Sequence, residues 1–270
     1  MSALKQLRAK NAVLGRIAPE VAAAQARTLF LTPRKGVPRD WEREAERSGT
    51  RERTGSGLSV LRFPGTGKRV LAMHGWEGRA TQWGPLVARM GEGFEVIAPD
   101  APAHGASPGT EAHPVAFAEA ILETDRELGP FFAVIGHSMG GGSAAVALSQ
   151  GLRAERAVLI AAPADIHASL RRFAAFVGLP DKAGARFVKL VERRVGVPAK
   201  DISIEALRPR AAVETLVLHD RGDREIPFTD GEAIARAWAG TLEPTDGLGH
   251  RRILRDAKVH DRIVAFLSAQ

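Results

Sequence analysis

The sequence contains no cysteine and no tyrosine, and each absence excludes a group of functions. Without cysteine there is no disulfide, no thiolate metal site and no cysteine nucleophile, and the composition suits a reducing compartment. Without tyrosine, no phenol can act as a general acid or base. No apolar run reaches the ~20 residues that a membrane-spanning helix requires. We therefore expect no stable membrane insertion.

The net charge of +7 is concentrated near the N-terminus. Residues 1–54 carry 12 Lys/Arg and 6 Asp/Glu, whereas the remaining residues are almost balanced. The alternating charges of residues 39–47 favour a solvated helical face, although a basic segment could also steer anionic substrates. No basic stretch is interleaved with aromatic residues, so nucleic-acid binding is not predicted.

The first 30 residues resemble an export signal only superficially. A small-residue stretch at 21–26 is similar to a signal-peptidase site, but Arg16, Pro19 and Glu20 interrupt the apolar region that a signal peptide needs. We therefore predict a cytoplasmic protein. Residues 3–30 have a broadly helical pattern, with Pro19 at the start of a second helix. This arm should pack on the domain or on a partner, and a homodimer through the arm or a cap would be one such arrangement.

Strand and helix patterns alternate from residue 58 onward. Residues 58–63 predict a strand, and Pro64-Gly65-Thr66-Gly67 predicts a hairpin turn into a strand at 69–74, after a polar turn region at 49–57. Further strands are predicted at 94–98, 131–136, 157–161, 214–219 and 241–244, and helices at 81–90, 114–128, 139–150, 229–239 and 257–269. Such alternation predicts an α/β fold with a mostly parallel sheet covered by helices on both faces.

The alternation breaks at Pro163. Residues 165–210 carry two helical stripes and no strand pattern, which predicts a helical cap lying over the sheet edge. We therefore expect three parts in the chain. They are an N-terminal helical arm at 1–55, an α/β core at 56–162 and 213–270, and the cap or lid at 163–212.

A serine lies at a predicted reversal from strand to helix. The segment Gly136-His137-Ser138-Met139-Gly140 ends an apolar strand and precedes a small-residue helix. At so tight a corner, side chains at 136 and 140 would collide with the neighbouring strand or helix, so glycine is needed there. The pattern alone arises easily by chance among 28 glycines, and it is the strand and helix around it that make Ser138 a candidate nucleophile. Ser143 and Ser149, inside the helix, are expected to be packing or capping residues.

A serine hydroxyl needs a base, and the base needs a carboxylate to fix its tautomer. His250 follows the last predicted strand and Asp223 follows the strand at 214–219, so both should emerge at the carboxyl edge of the sheet, where Ser138 also lies. Asp220 is the alternative carboxylate.

These motifs together resemble the α/β-hydrolase superfamily. The resemblance extends over about residues 58–270 and rests on the order Ser138, Asp223, His250, on the elbow, on the loop His74-Gly75-Trp76 and on residues 99–107. It implies a catalytic triad in which Ser138 is the nucleophile, His250 the general base and then acid, and Asp223, placed just before Ile226-Pro227, the orienting carboxylate.

The same resemblance implies an oxyanion hole formed by the backbone N–H groups of Trp76 and Met139. Asp100 could brace this loop or simply cap a turn. His74, His104 and His137 are expected to make structural hydrogen bonds. No His/Asp/Glu set shows the ligand spacing of a metal site on one element, so no metal and no cofactor are predicted.

Serine at the elbow favours acyl transfer, so we expect hydrolysis of a small-molecule ester or thioester through an acyl-enzyme. An amide or a carbon–carbon bond could be cleaved by the same triad, and a non-catalytic scaffold that serves as a binding protein is the alternative from another class. The cap should form the pocket, with apolar wall from Trp76, Leu170, Phe173, Phe176 and Phe187. A basic rim is expected from Arg171, Arg172, Lys189, Arg193 and Arg194, which would suit an acyl chain with an acidic group.

Overall fold

The fold is organised around one eight-stranded sheet, seen in a computed structural model that describes residues 2–269. Met1 and Gln270, the end residues of the ranges predicted for the arm and the core, lie outside the described part. The strands are β1 (Thr50–Arg53), β2 (Ser59–Phe63), β3 (Lys68–Met73), β4 (Phe94–Pro99), β5 (Ala133–His137), β6 (Arg156–Ile160), β7 (Glu214–Asp220) and β8 (Thr241–Thr245). Their order in the sheet is β1-β2-β4-β3-β5-β6-β7-β8.

Among the described residues, three helices precede the first strand in the chain, and the later helices alternate with the strands or lie in the cap. The helices are α1 (Ala3–Ile17), α2 (Pro19–Leu31), α3 (Asp40–Ser48), α4 (Gly84–Met90), α5 (Pro114–Leu128), α6 (Met139–Gln150), α7 (Ile166–Phe176), α8 (Asp181–Val195), α9 (Phe228–Trp238), α10 (Gly249–Arg252) and α11 (Ala257–Ser268). Within residues 2–269, no helix is both long and apolar enough to cross a membrane. The cytoplasmic location and the homodimer stay predictions.

The strands from β3 to β8 are all parallel, and the central strands β5 and β6 are buried at every position. Alternate residues of β5 enter two different apolar clusters, with Val134 in one and Ile135 in the other. In β6, Leu159 and Val158 divide in the same way. A strand buried on both faces needs apolar residues at successive positions, which explains the continuous apolar runs in the sequence. The predicted α/β-hydrolase fold is confirmed.

The predicted hairpin between β2 and β3 is wrong. Strand β4 lies between them, antiparallel to β2 and parallel to β3. The turn crosses closely over the start of β4, because a β-carbon on Gly65 would lie 1.9 Å from the carbonyl oxygen of Phe94, and one on Gly67 would lie 1.8 Å from that of Gly93. A glycine-containing turn occurs both in a hairpin and in a connection that crosses another strand. The turn sequence at 64–67 therefore did not distinguish the two structures.

Strand β1 corrects the predicted turn region at 49–57 and the boundary of the arm at 55. Residues 50–53 pair antiparallel with β2 at the edge of the sheet, and the turn itself is short, closed by the amide of Thr54 donating to the carbonyl of Leu58 at 3.0 Å. All four side chains of the strand are polar, so apolar alternation could not reveal it.

The N-terminal helices pack on the cap of the same chain. Helices α7 and α8 lie in the segment predicted as the cap, and Phe30 of α2 contacts Phe173 and Phe187, with ring centroids 5.0 and 5.7 Å away. The side-chain amide of Asn11 donates to the carbonyl of Val177 at 2.8 Å. The arm therefore packs on the domain, which was one of the two expected arrangements.

Candidate active site

Ser138 occupies a strained corner between β5 and α6. Its backbone has φ 53° and ψ −122°, a conformation that residues other than glycine rarely adopt. Its amide donates to the carbonyl of Ile160 at 2.9 Å, while its own carbonyl accepts from the amides of Gly141 and Gly142 at 2.9 and 3.1 Å. The neighbouring strand β6 and the first turn of α6 thus hold the strained residue in place.

Two glycines make this corner sterically feasible. A β-carbon on Gly136 would lie 2.5 Å from the carbonyl oxygen of Gly140. One on Gly140 would lie 2.3 Å from the carbonyl oxygens of both Met73 and His74, at the end of β3. These contacts are with backbone, which cannot move aside as a flexible side chain could. The sequence-based reason for glycine at 136 and 140 is therefore confirmed.

The structure brings Ser138, His250 and Asp223 into one chain of hydrogen bonds. His250 Nε2 lies 2.9 Å from Ser138 Oγ, and His250 Nδ1 lies 2.7 Å from Asp223 Oδ2. Asp223 follows β7, and His250 lies in α10 shortly after β8. Because a carboxylate can only accept, Nδ1 carries the proton, and the lone pair of Nε2 faces the serine hydroxyl. This is the arrangement in which the imidazole can act as a base toward Ser138.

Asp223 is ionised in a fully buried position. Burial alone raises the pKa of its carboxyl group, but hydrogen bonds from His250 and from the amides of Ile226 and Glu225 outweigh burial, and the pKa is lowered. The two amides donate to Oδ1 at 3.0 and 2.8 Å, which leaves Oδ2 for the imidazole. The carboxylate is therefore both charged and fixed in orientation.

Asp220, the alternative carboxylate, lies between the loop after β7 and the loop after β8. Its Oδ2 accepts from the Thr245 hydroxyl at 2.9 Å and from the amide of Leu248 at 2.8 Å, and its Oδ1 accepts from the amide of Gly222 at 2.9 Å. It thus ties the loop that carries Asp223 to the loop that carries His250. Of the two aspartates, Asp223 contacts the imidazole.

The two neighbouring serines are engaged elsewhere. Ser143 Oγ donates to the carbonyl of Pro114 at 2.9 Å, and Ser149 Oγ donates to the carbonyl of Val146 at 2.7 Å. The first bond joins α6 to the start of α5, and the second lies within the last turn of α6, as expected for packing or capping residues. Neither hydroxyl is hydrogen-bonded to a histidine.

The loop after β3 lies against Ser138. A β-carbon on Gly75 would lie 2.9 Å from Ser138 Cβ. The carbonyl of Gly75 accepts from His74 Nδ1 at 2.7 Å and from the amide of Gly78 at 3.0 Å. His74 Nε2 in turn accepts from the amide of Ala101 at 3.0 Å, so this ring has a fixed tautomer with the proton on Nδ1. His74 therefore sets the orientation of the peptide plane between Gly75 and Trp76.

Asp100 braces the same loop rather than only capping a turn. It is fully buried, and its carboxylate accepts from the amides of Ala80 and Ala106 at 2.7 and 2.9 Å. The guanidinium of Arg51, in β1, contacts the same carboxylate at 2.8 Å. The loops after β3 and β4 are thus joined through one buried carboxylate, which Arg51 also ties to β1.

Two further histidines support the site. His104 Nε2 accepts from the amide of Glu77 at 3.0 Å, next to Trp76 in the chain. His137 Nε2 donates to the backbone carbonyl of His250 at 2.9 Å and so holds the segment that carries the candidate base. Sequence reasoning anticipated structural bonds for these residues but not which loops they join, because the partners are distant in the chain.

The buried histidines predict a loss of stability as the pH falls from about 6.5 to about 4. Burial lowers the pKa of His74 to about 4 and those of His104 and His137 to about 3. The unfolded chain, with pKa values near 6.5, therefore binds more protons in this range. The free energy of unfolding should fall by up to about 1.4 kcal/mol per pH unit for each such histidine, as measured by urea unfolding.

A His104→Gln variant is the control for this prediction. Its free energy of unfolding should decrease less steeply between about pH 6.5 and 4.5, because one of the differing protonation sites is gone. Asp223, whose pKa is lowered, loses its contribution mainly below its unfolded pKa of about 3.9, which lies under this window. A wild-type stability that stays constant over the window would contradict the account.

Beside Ser138 and His250 lies an open cleft of about 430 Å³. Its walls come from the loop after β3, including Trp76, from the region around α10, and from residues 34–42 between α2 and the first turn of α3. The N-terminal part of the chain therefore contributes a wall that the sequence pattern had assigned to the cap. Among residues 2–269, no group of three or more His, Asp or Glu side chains is arranged to hold a metal ion.

The four cap residues expected in the pocket lie elsewhere. Leu170 and Phe187 are buried in the core, and Phe173 packs against Phe30 and Phe187. Phe176 is 57% exposed and lies outside the cleft wall. Helices α1 and α2 pack on α8, and Phe30 of α2 contacts the rings of Phe173 and Phe187, which were expected in the pocket. Of the expected wall, the cleft contains Trp76.

The basic residues of the cap do not form the rim of the cleft either. None of Arg171, Arg172, Lys189, Arg193 and Arg194 contributes to its walls. Arg172 pairs with Asp230 at 3.0 Å and Arg194 with Glu111 at 2.7 Å. Two of these cations are thus held in ion pairs between the cap and the core.

Comparison with solved structures finds the same fold in several hydrolases. An esterase from Exiguobacterium antarcticum matches with a TM-score of 0.62 at 20% identity, over 82% of this chain and 100% of the esterase. An esterase from Rhodococcus sp. matches with a TM-score of 0.59 at 17% identity, over 82% and 99%. A serine hydrolase involved in carbazole degradation matches with a TM-score of 0.61 at 16% identity, over 82% and 100%.

Comparison with sequences gives a shorter match and a family. An uncharacterised protein of Mycobacterium tuberculosis is 32% identical over 93 residues, which cover 32% of this chain and 26% of that protein. The match thus spans about a quarter of the relative. The profile of the alpha/beta hydrolase family matches residues 70–262, more than half of the chain. The chain therefore belongs to the alpha/beta hydrolase family.

Proposed function

We propose that the protein is a serine hydrolase that cleaves a carboxylic ester or thioester through an acyl-enzyme. The observation that carries this proposal is the hydrogen-bonded chain from Ser138 Oγ through His250 to the buried carboxylate of Asp223, with distances of 2.9 and 2.7 Å. Both distances are within the reach that proton transfer requires, and the serine faces an open cleft.

In the first half-reaction, Ser138 Oγ attacks the carbonyl carbon while His250 Nε2 takes the hydroxyl proton. The resulting tetrahedral intermediate collapses when the imidazolium gives this proton to the leaving alcohol or thiol, and the acyl group stays on Ser138. Water then attacks the acyl-enzyme, His250 again takes a proton, and collapse releases the acid and restores the serine hydroxyl. The ionised Asp223 stabilises the imidazolium in both halves.

The developing oxyanion would be bound by the backbone N–H groups of Trp76 and Met139. In a trans peptide the carbonyl and the next N–H point in opposite directions, so the bond from His74 to the Gly75 carbonyl directs the Trp76 N–H away from the His74 ring. Met139 is the first residue of α6, where the amides have no helical partner and the helix dipole favours negative charge. Both hydrogen-bond donors are backbone N–H groups, whose positions are fixed before the substrate binds.

Labelling with a fluorophosphonate probe tests this proposal. We expect a single adduct on Ser138 in the folded wild-type protein and none in the Ser138→Ala variant, because only a serine activated by a base reacts readily with the probe. The Ser143→Ala variant is the matched control and should be labelled like the wild type. An unlabelled Ser138 in folded protein would instead support a non-catalytic scaffold.

A panel of 4-nitrophenyl esters, thioesters and anilides of one acyl group then separates the reaction classes. We expect esters and thioesters to be cleaved faster than the anilide, because their leaving groups need less protonation. Preferred cleavage of the anilide would favour the amidase alternative.

A further inference from the structure

The cleft beside Ser138 is partly walled by a segment that lies outside the family match. Residues 32–39, which we call the strap, join α2 to α3 without regular secondary structure, and Arg34, Val37 and Arg39 of the strap line the cleft. The family profile begins only at residue 70. The part of the wall formed by the strap therefore lies outside the residues that match the family profile.

The strap is tied to the loop that carries Trp76. The backbone amide and the Nε of Arg34 both donate to Glu77 Oε1, at 3.2 and 3.0 Å. The guanidinium of Arg79 donates to the carbonyl of Gly36, and Lys35 Nζ donates to the carbonyl of Ser107 at 3.0 Å. These contacts hold the strap at the edge of the site, although most of its side chains are exposed to solvent.

The charged residues of the cleft wall are five arginines and three glutamates. Three arginine–glutamate pairs form among them, with nitrogen–oxygen distances of 3.0 to 3.4 Å. The pairs are Arg34 with Glu77, Arg79 with Glu42, and Arg251 with Glu225. Two guanidinium groups, those of Arg39 and Arg255, have no carboxylate partner within residues 2–269.

These two cations lie at the cleft beside the start of α3. Arg39 directly precedes α3, and Arg255 lies over the ring of Trp41, in the first turn of α3, with 5.8 Å to the ring centroid. Trp41 also lines the cleft. The aromatic face restricts where the guanidinium of Arg255 can lie while leaving its N–H groups available to a ligand.

We propose that the substrate carries an anionic group, a carboxylate or a phosphate, which Arg39 and Arg255 bind while the scissile carbonyl lies at Ser138. This inference rests on the proposed hydrolase function, and it adds the class of substrate that the hydrolase would cleave. A planar guanidinium donates two parallel hydrogen bonds to either anion, which is the recognition that these two side chains offer. The fitting substrates are esters or thioesters with a second, negatively charged end.

The acidic groups that face the same space do not cancel this preference. Glu225 Oε2 lies 3.9 Å from His250 Nε2, but the same carboxylate is paired with Arg251. Glu42 and Glu77 are paired as well. The uncompensated charge in the wall is therefore positive and belongs to Arg39 and Arg255.

Binding to the Ser138→Ala protein tests the inference independently of hydrolysis. Mono-4-nitrophenyl glutarate, which is anionic, and its neutral methyl ester are compared by calorimetry. We expect the anion to bind more tightly, and Arg39→Gln or Arg255→Gln to weaken its binding about tenfold each with no change for the neutral ester. The preference should also shrink between about 0.02 and 0.5 M NaCl, because both side chains are exposed.

The control variant is Arg47→Gln, which removes the same charge from an exposed position on α3 outside the cleft. It should leave the preference for the anion intact. Steady-state hydrolysis with Ser138 present should show the same pattern as a change in KM with little change in kcat.

Two results would overturn the inference: equal binding of the two esters, or a preference that survives in the Arg39→Gln/Arg255→Gln double variant. A wild-type protein that binds the anion preferentially but hydrolyses no ester would support the binding site and contradict the proposed hydrolase.

Discussion

Replacing Ser138 with alanine is expected to lower kcat/KM for ester hydrolysis by about 10⁵-fold. The reason is chemical, because no other hydroxyl contacts His250 within the described residues, and the next serine along α6 bonds to a backbone carbonyl. The variant should fold, because the only side-chain hydrogen bond of Ser138 within the described residues is the one to His250. Gly136 and Gly140, which make the strained corner sterically feasible, are unchanged. The measurement is steady-state hydrolysis of 4-nitrophenyl acetate, with circular dichroism as a check on folding.

The Ser143→Ala variant provides the comparison. It removes a buried hydroxyl on the same helix, which donates to the carbonyl of Pro114, so it should cost about 1 kcal/mol of stability and leave kcat nearly unchanged. Full esterase activity in folded Ser138→Ala protein would show that the hydrolysis takes place elsewhere.

Replacing Asp223 with asparagine is expected to lower kcat by about 10⁴-fold. The amides of Glu225 and Ile226 require an oxygen at the Oδ1 position, so the asparagine NH₂ group would face His250. An NH₂ group donates to Nδ1, and the imidazole then carries its proton on Nε2, toward Ser138, where it cannot act as a base. The negative charge that stabilises the imidazolium is lost as well. Burst and steady-state kinetics at several pH values measure the effect.

Asp220→Asn separates this chemical role from a structural one. Both oxygens of Asp220 accept hydrogen bonds, from Gly222 on one side and from Thr245 and Leu248 on the other, and an NH₂ group would face one set of donors. We expect a loss of about 1–3 kcal/mol of stability and a much smaller loss of kcat, with the pH dependence of kcat unchanged. If folded Asp220→Asn protein lost as much kcat as Asp223→Asn, the assignment of the orienting carboxylate to Asp223 would fail.

The parts of the fold with strong local patterns were predictable from the sequence. The continuous apolar runs of β5 and β6 follow from burial on both faces, and the glycines at 136 and 140 follow from the backbone contacts that a β-carbon would make. Ser138, Asp223 and His250 each follow a parallel strand, and this was sufficient to predict that they lie at one edge of the sheet. Parallel strands present their carboxyl ends together.

The features that the sequence did not reveal depend on contacts between distant residues. The order of β2, β4 and β3 is set by sheet pairing, to which the turn at 64–67 gives no clue. The strap has no periodic pattern, and its position depends on ion pairs such as that between Arg34 and Glu77. The apolar side chains of the cap lie on helices, as the pattern predicts, but Phe173 and Phe187 pack against Phe30 of the N-terminal arm. Pattern shows which face of a helix is apolar, but it does not show what covers that face.

Trapping the acyl-enzyme is the most direct measurement of the central claim, that Ser138 carries the acyl group. Wild-type protein is mixed with 4-nitrophenyl acetate, quenched in acid within the first turnover, digested and analysed by mass spectrometry. We expect one acetyl group on the peptide that contains Ser138, and this group should disappear as the substrate is exhausted. Hydrolysis of the ester with no acetylated peptide, or with the acetyl group on another residue, would contradict it.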